Sequence, residues 1–138
     1  MDSAFYATWT PRAQGLLRIV TGYLFLTHGT AKLLGMPHVP MFDGLQVLSL
    51  IGFAGIIEIV GGALLLIGFL TRPVAFILSG EMAFAYFMGY APHGNVLVPM
   101  LNQGELAVVY CFVFLFFAGA GAGAWSVDAM RAGRPVPA

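Results

Sequence analysis

Charge is what this 138-residue chain has least of: Asp, Glu, Lys and Arg together make up 9% of it, against 59% hydrophobic residues and a mean hydropathy of +0.88. So little charge cannot cover a water-soluble domain of this size, and the chain is expected to live in a lipid bilayer. Six basic and six acidic residues cancel, which removes the electrostatic footprint of a nucleic-acid binder and of a polybasic lipid anchor. Cysteine is almost missing as well. With Cys111 alone, an intrachain disulfide, a CxxC redox pair and a cysteine zinc site are all excluded. No Gly-rich phosphate loop, zinc signature or paired nucleophile and base can be read. The first apolar run contains Arg18 and lacks a small-residue cleavage site, so it is expected to stay in place as a helix.

What the chain does have is apolar length. A spanning helix needs about 20 mainly apolar residues, and four segments qualify, 13–34, 45–70, 73–91 and 104–121. Gly35 with Pro37 and Pro40, Thr71 to Pro73, and Pro92 to Pro99 supply the breaks. The expected fold is therefore all-α, a single-domain four-helix transmembrane bundle with antiparallel up-down topology. Arg12, Arg72, Arg131 and Arg134 fall on one side of such a bundle and Lys32 near the other. Basic residues are retained in the cytoplasm, so both termini are expected there, in a multi-pass protein of a bacterial-type inner membrane.

Ionisable residues inside apolar spans carry a cost of about 2.5 to 3.5 kcal/mol each at mid-membrane, so they should face inward, pair or be neutral. Arg18, His28, Lys32, Glu58, Glu81 and Glu105 are the residues in question. Counting about 1.5 Å per residue places Arg18 within reach of Glu58 or Glu81 as an intramembrane charge network, either structural or functional. His28, Lys32 and Glu105 gather nearer the outer face. His28 and Lys32 share one face of the first helix at i, i+4. Asn102 and Gln103 add neutral polar groups, giving a ligand pocket of Lys32, Asn102 and Gln103 beside His28 and Glu105 as proton-handling candidates. Ala54, Gly55, Gly61 and Gly62 surround Glu58 at helical spacing, which marks a close helix contact. Weaker patterns are Met36, His38 and Met41, soft ligands in one loop, and His28 with His93 as haem ligands. No metal site is expected from either.

The stretches LLRIVTGYLFLTHGTAKLLG from Leu16, GIIEIVGGALLLIGFLTRPVA from Gly55, and NQGELAVVY followed by GAGAWSVD resemble the DoxX family of small four-helix membrane proteins, from about Leu16 to Asp128. The chain departs from the family pattern at Ala122, where a proline is expected, which bears on the exit of the fourth helix. The resemblance implies a redox-associated membrane subunit, since relatives belong to respiratory and sulfur redox systems, among them a thiosulfate to quinone oxidoreductase subunit. It carries over Arg18, His28, Lys32, Glu58 and Glu105 as pocket residues; Glu81 is added from its depth. A quinone or a small sulfur compound is then the expected ligand, and a redox partner protein the source of electrons, because the chain holds no evident electron carrier. A small proton-coupled transporter, working as a homo-oligomer, and a non-catalytic scaffold are the rival readings.

Overall fold

Glycine sets how the first two helices meet. Gly15, Gly22 and Gly29 recur every seven residues, as do Gly55 and Gly62, and seven residues are nearly two turns, so each set forms a line along its helix. In the computed structural model, which describes residues 2–133, these lines lie on α1 (Ser3–Leu34) and α2 (Leu50–Ile67). A Cβ added to Gly22 would stand 2.6 Å from the Leu66 nitrogen, one on Gly62 2.6 Å from the Leu26 nitrogen, and one on Gly29 2.7 Å from the Ile59 nitrogen. Backbone therefore packs on backbone, and the partners descend along α2 as they rise along α1, so the pair is antiparallel.

A turn at Gly68, which caps α2 in the left-handed region at φ 69°, leads directly into α3 (Thr71–Ala85). The helical path continues through a wide π turn, Tyr86–Tyr90, and a short 3-10 turn, Ala91–His93. α4 (Glu105–Ala120) returns against α3, and a short α5 (Val127–Arg131) follows. Larger side chains join this second pair. Leu78, Met82, Phe114 and Phe117 are buried with Leu65 of α2 and Phe25 of α1 in one core, and Ser79 Oγ donates to the Cys111 carbonyl at 2.8 Å. The chain is thus two antiparallel hairpins, α1–α2 and α3–α4. Among the described residues the secondary structure is entirely helical.

The helix ends differ from expectation for local reasons. α1 begins at Ser3, ten residues before the expected start, and runs through Pro11. Composition had placed a boundary there, but the residues before it are exposed and the proline removes only one ladder bond. α2 begins at Leu50 rather than 45 because Ser49 caps it, its hydroxyl accepting from the Gly52 nitrogen at 3.1 Å. α3 begins at Thr71, which puts Pro73 at the third helical position, where the N–H it lacks would be unpaired anyway. α5 was not expected as a helix.

Two ends of the molecule result. One end, called here the terminal end, holds the start of α1, the α2–α3 turn, the end of α4 and α5; the other, the loop end, holds residues 35–49 and 94–104. Between them large apolar side chains face outward, among them Phe53, Phe76, Ile77 and Phe112, each more than half exposed. α2 and the continuous stretch Thr71–His93 are long and apolar enough to cross a membrane.

Candidate functional site

Arg18 is fully buried, yet it reaches neither Glu58 nor Glu81. All its hydrogen bonds go to main-chain carbonyls at the terminal end. Nε donates to Ala122 at 2.9 Å, Nη1 to Leu65 and Leu66 at 2.8 and 2.6 Å, and Nη2 to Ala124 and Trp125 at 3.2 and 2.7 Å. A guanidinium has five N–H donors, and here they meet five carbonyls. Arg18 lies level with Leu65, whereas Glu58 is seven residues, about 10 Å, further along α2. The carbonyls at the end of α2 are nearer and carry the negative end of its dipole.

The segment between α4 and α5 is laid down against α1 by this contact. The Ala124 nitrogen donates to the Pro11 carbonyl at 2.9 Å, and a Cβ on Gly15 would meet the Ala124 oxygen at 2.5 Å. Ala122, standing where a proline was expected, sits between two glycines of positive φ and gives its carbonyl to Arg18. Asp128 then accepts from the Leu70 and Thr71 nitrogens at 3.0 and 2.9 Å, capping α3 from α5. Partial burial pushes the Asp128 carboxyl up, but hydrogen bonds from Thr71 and Leu70 and the charge of Arg131 outweigh it and hold it below the usual carboxylate range. Arg72 in turn donates to the last carbonyls of α4, those of Ala118, Gly119 and Ala120.

The glutamate at the centre of α2 pairs instead with the lysine of α1. Lys32 Nζ lies 2.6 Å from Glu58 Oε1, with 14% and 3% of the two side chains exposed. Gly55 makes this possible, because a Cβ there would come within 3.2 Å of the Lys32 Cβ. Glu58 Oε2 has no hydrogen-bond partner, and neither carboxylate oxygen of Glu81 has one, although all three atoms are buried. Glu81 is within electrostatic range of both Glu58 and Lys32. A cavity of about 250 Å³ adjoins Lys32 beneath the loop that follows α1, lined also by His38, Phe42 and Asp43.

His28 lies one turn from Lys32 but turns to the seam between α1 and α4. Its ring stands 6.1 Å from that of Tyr110, edge to face, and 6.4 Å from that of Phe25. Further toward the terminal end the same seam holds an apolar groove of about 410 Å³ lined by Leu17, Val108, Val109, Phe112, Val113 and Phe116. Leu17 and His28 are eleven residues apart and so lie within about 20° of each other around α1. Glu105 is one, two and three turns from Val109, Phe112 and Phe116 on the matching stripe of α4. His28 and Glu105 therefore stand at the loop end of one seam, Glu105 about 8 Å beyond Tyr110. Both are exposed, and neither has a hydrogen-bond partner among the described residues.

Asn102 and Gln103 do not share a place with Lys32. Asn102 is buried and its amide is used in the loop: Nδ2 donates to Tyr86 Oη and to the Asn95 carbonyl at 3.0 and 3.1 Å, and Oδ1 accepts from the Gly104 nitrogen at 2.8 Å. Gln103, at φ 62°, is exposed. In the loop after α1, the His38 imidazole is 2.9 Å from Asp43 Oδ1, and Met36 and Met41 are exposed. His93 is exposed at the end of the 3-10 turn that closes α3. Tyr110, Asp128 and the glycine line of α1 contribute although they were not among the expected site residues. The sevenfold glycine spacing was a visible sign of the last of these.

An apolar exterior with Arg18, Lys32, Glu58 and Glu81 drawn inward defines a membrane protein. The chain belongs to the DoxX family, whose sequence profile matches residues 13–91. That stretch holds Arg18, His28, Lys32, Glu58 and Glu81; Glu105 lies beyond it. A protein of Haemophilus influenzae described as uncharacterized is 46% identical over 123 residues, covering 87% of this chain and 91% of that protein. No solved structure matches the chain.

Proposed function

We propose that this protein is a four-span subunit of a redox system in a bacterial-type inner membrane, with both termini in the cytoplasm, that binds a quinone in the seam between α1 and α4. The observation that carries the reading is the form of that seam: an apolar groove of about 410 Å³ runs toward the terminal end, and two titratable side chains without hydrogen-bond partners, His28 and Glu105, stand at its loop end. Such a site suits a lipid-borne ligand with a long apolar tail and a polar head. His28 and Glu105 would hold the head by hydrogen bonds and exchange protons with it, the role suited to an imidazole and a carboxylate at the same end of the groove. A bound quinone supplies two-electron, two-proton chemistry, and a partner protein supplies the electrons. Arg12, Arg72 and Arg131 lie toward the terminal end and Lys32 toward the other, which supports the orientation; Arg134 lies outside the described residues.

Native mass spectrometry of protein extracted gently from its own membrane tests the reading. Wild type is expected to retain a quinone, and a His28→Ala, Glu105→Gln variant to lose it. A bare protein in both cases would sink the proposal.

A further inference from the structure

The register of α2 against α3 brings two carboxylates to one level of the interior, away from the quinone seam. Gly61 receives Leu78, whose Cδ2 would lie 2.6 Å from a Cβ on that glycine. The helices are antiparallel, so three residues back along α2 and three forward along α3 place Glu58 level with Glu81. Glu58 is 2% exposed. Lys32 occupies only one of its oxygens, and Oε2 together with both oxygens of Glu81 is buried and unpartnered. The titratable and charged groups nearest this point are Lys32 on α1, Glu58 on α2 and Glu81 on α3, with His28 one turn from Lys32 and facing Tyr110 of α4, and His38 and Asp43 in the loop above.

One ammonium balances one carboxylate, and two buried carboxylates beside one lysine leave a net negative charge that a water-poor interior penalises. The smallest species that removes this penalty is a proton, which turns one carboxylate into a neutral hydrogen-bond donor toward the other. We propose that Glu58 and Glu81 form an interior site for a single exchangeable proton, with Lys32 as its fixed counter-charge and the cavity beneath the loop after α1 as its entry. The Lys32 side chain lines that cavity and touches Glu58, so a proton arriving from the loop end meets the lysine first and the carboxyl pair behind it. No bond other than O–H forms or breaks, and no electron moves. The site uses neither His28 nor Glu105 and stands apart from the quinone reading.

The test is infrared spectroscopy of the full-length protein in lipid nanodiscs at neutral pH, with carbon-13 glutamate to isolate the three Glu side chains. Wild type is expected to show a protonated carboxyl band that shifts in deuterated water. Glu81→Gln should remove it, His28→Ala with Glu105→Gln should keep it, and Lys32→Met should raise it about twofold because both carboxyls must then be neutral. Absence of the band from wild type, or its persistence unchanged in Glu81→Gln, overturns the proposal. So does a missing band together with a melting temperature that climbs with sodium concentration, since the occupant would then be a metal cation.

Discussion

At the scale of single residues, the same side chain can look like chemistry in sequence and prove to be architecture in space. Arg18 and Glu58 are both charges in apolar runs, and a depth count alone brought them together. In the structure Arg18 closes five carbonyls belonging to the end of α2 and the segment after α4. A lysine has three donors on a point charge and cannot span that fork. Arg18→Lys is therefore expected to lower stability by about 3 kcal/mol or more, since orphaned buried carbonyls cost about 1 to 3 kcal/mol each. Thermal unfolding in detergent reads this directly, and a variant that melts with wild type would show the hub to be dispensable. Asp128 gives the same end of the molecule a pH response. Its carboxyl is held below its ordinary value of 3.8 in the fold, so its contribution is complete above that value and fades as pH falls through the depressed one. Asp128→Asn should cost about 1 to 2 kcal/mol near neutral pH, and the gap to wild type should narrow in acid. A gap that widens in acid would reverse the sign of the argument.

Between elements, the legible features were those that periodicity or length encodes. Four apolar runs became α1 to α4, because length and hydropathy survive any error in the boundaries. The boundaries themselves were set by individual atoms: the Ser49 hydroxyl at the start of α2, and the Asp128 carboxylate that starts α3 from 58 residues away in sequence. The first was readable in principle as a serine before an apolar run; the second was not, because nothing local in Leu70 or Thr71 predicts a cap supplied by α5. The glycine lines are intermediate. In the sequence Gly55, Gly61 and Gly62 mark a contact around Glu58, while the matching line on α1 lies beside the face that carries Arg18, His28 and Lys32. Gly62→Ala should force apart α1 and α2, at a cost of about 1 to 3 kcal/mol. Gly80→Ala, whose Cβ would meet nothing within 4 Å, should instead stabilise α3 by up to about 1 kcal/mol. Equal melting temperatures for the two variants would mean that the approach of the backbones is not what holds the first hairpin.

For the molecule as a whole, the two hairpins are held together differently at their two ends, and this bears on where function can reside. At the terminal end Arg18, Asp128 and Arg72 bind the main chain of other elements directly, so that end has little freedom to rearrange without exposing carbonyls. Toward the loop end the helices are joined by the Lys32–Glu58 pair, the ring contacts of Phe25 and His28 with α4, and loops that rest on Asn102 and Tyr86. Unused polar atoms are found there and midway, at His28, Glu58, Glu81 and Glu105. The cost of charge in lipid made the inward placement of Glu58 and Glu81 legible in the sequence; the exposure of His28 and Glu105 at a lateral seam runs against that expectation, because it depends on which of two adjacent stripes on α1, and which stripe of α4, each residue occupies. Which aqueous compartment serves them follows from topology. In a Cys111→Ser background, a cysteine at Arg131 is expected to be shielded from a membrane-impermeant thiol reagent added outside intact cells, and one at Val39, beside the cavity that leads to Lys32, to be labelled. Labelling at Arg131 alone would invert the protein, and the cavity beside Lys32 and the loop end of the α1–α4 seam, the proposed proton entry and quinone head site, would then open to the cytoplasm.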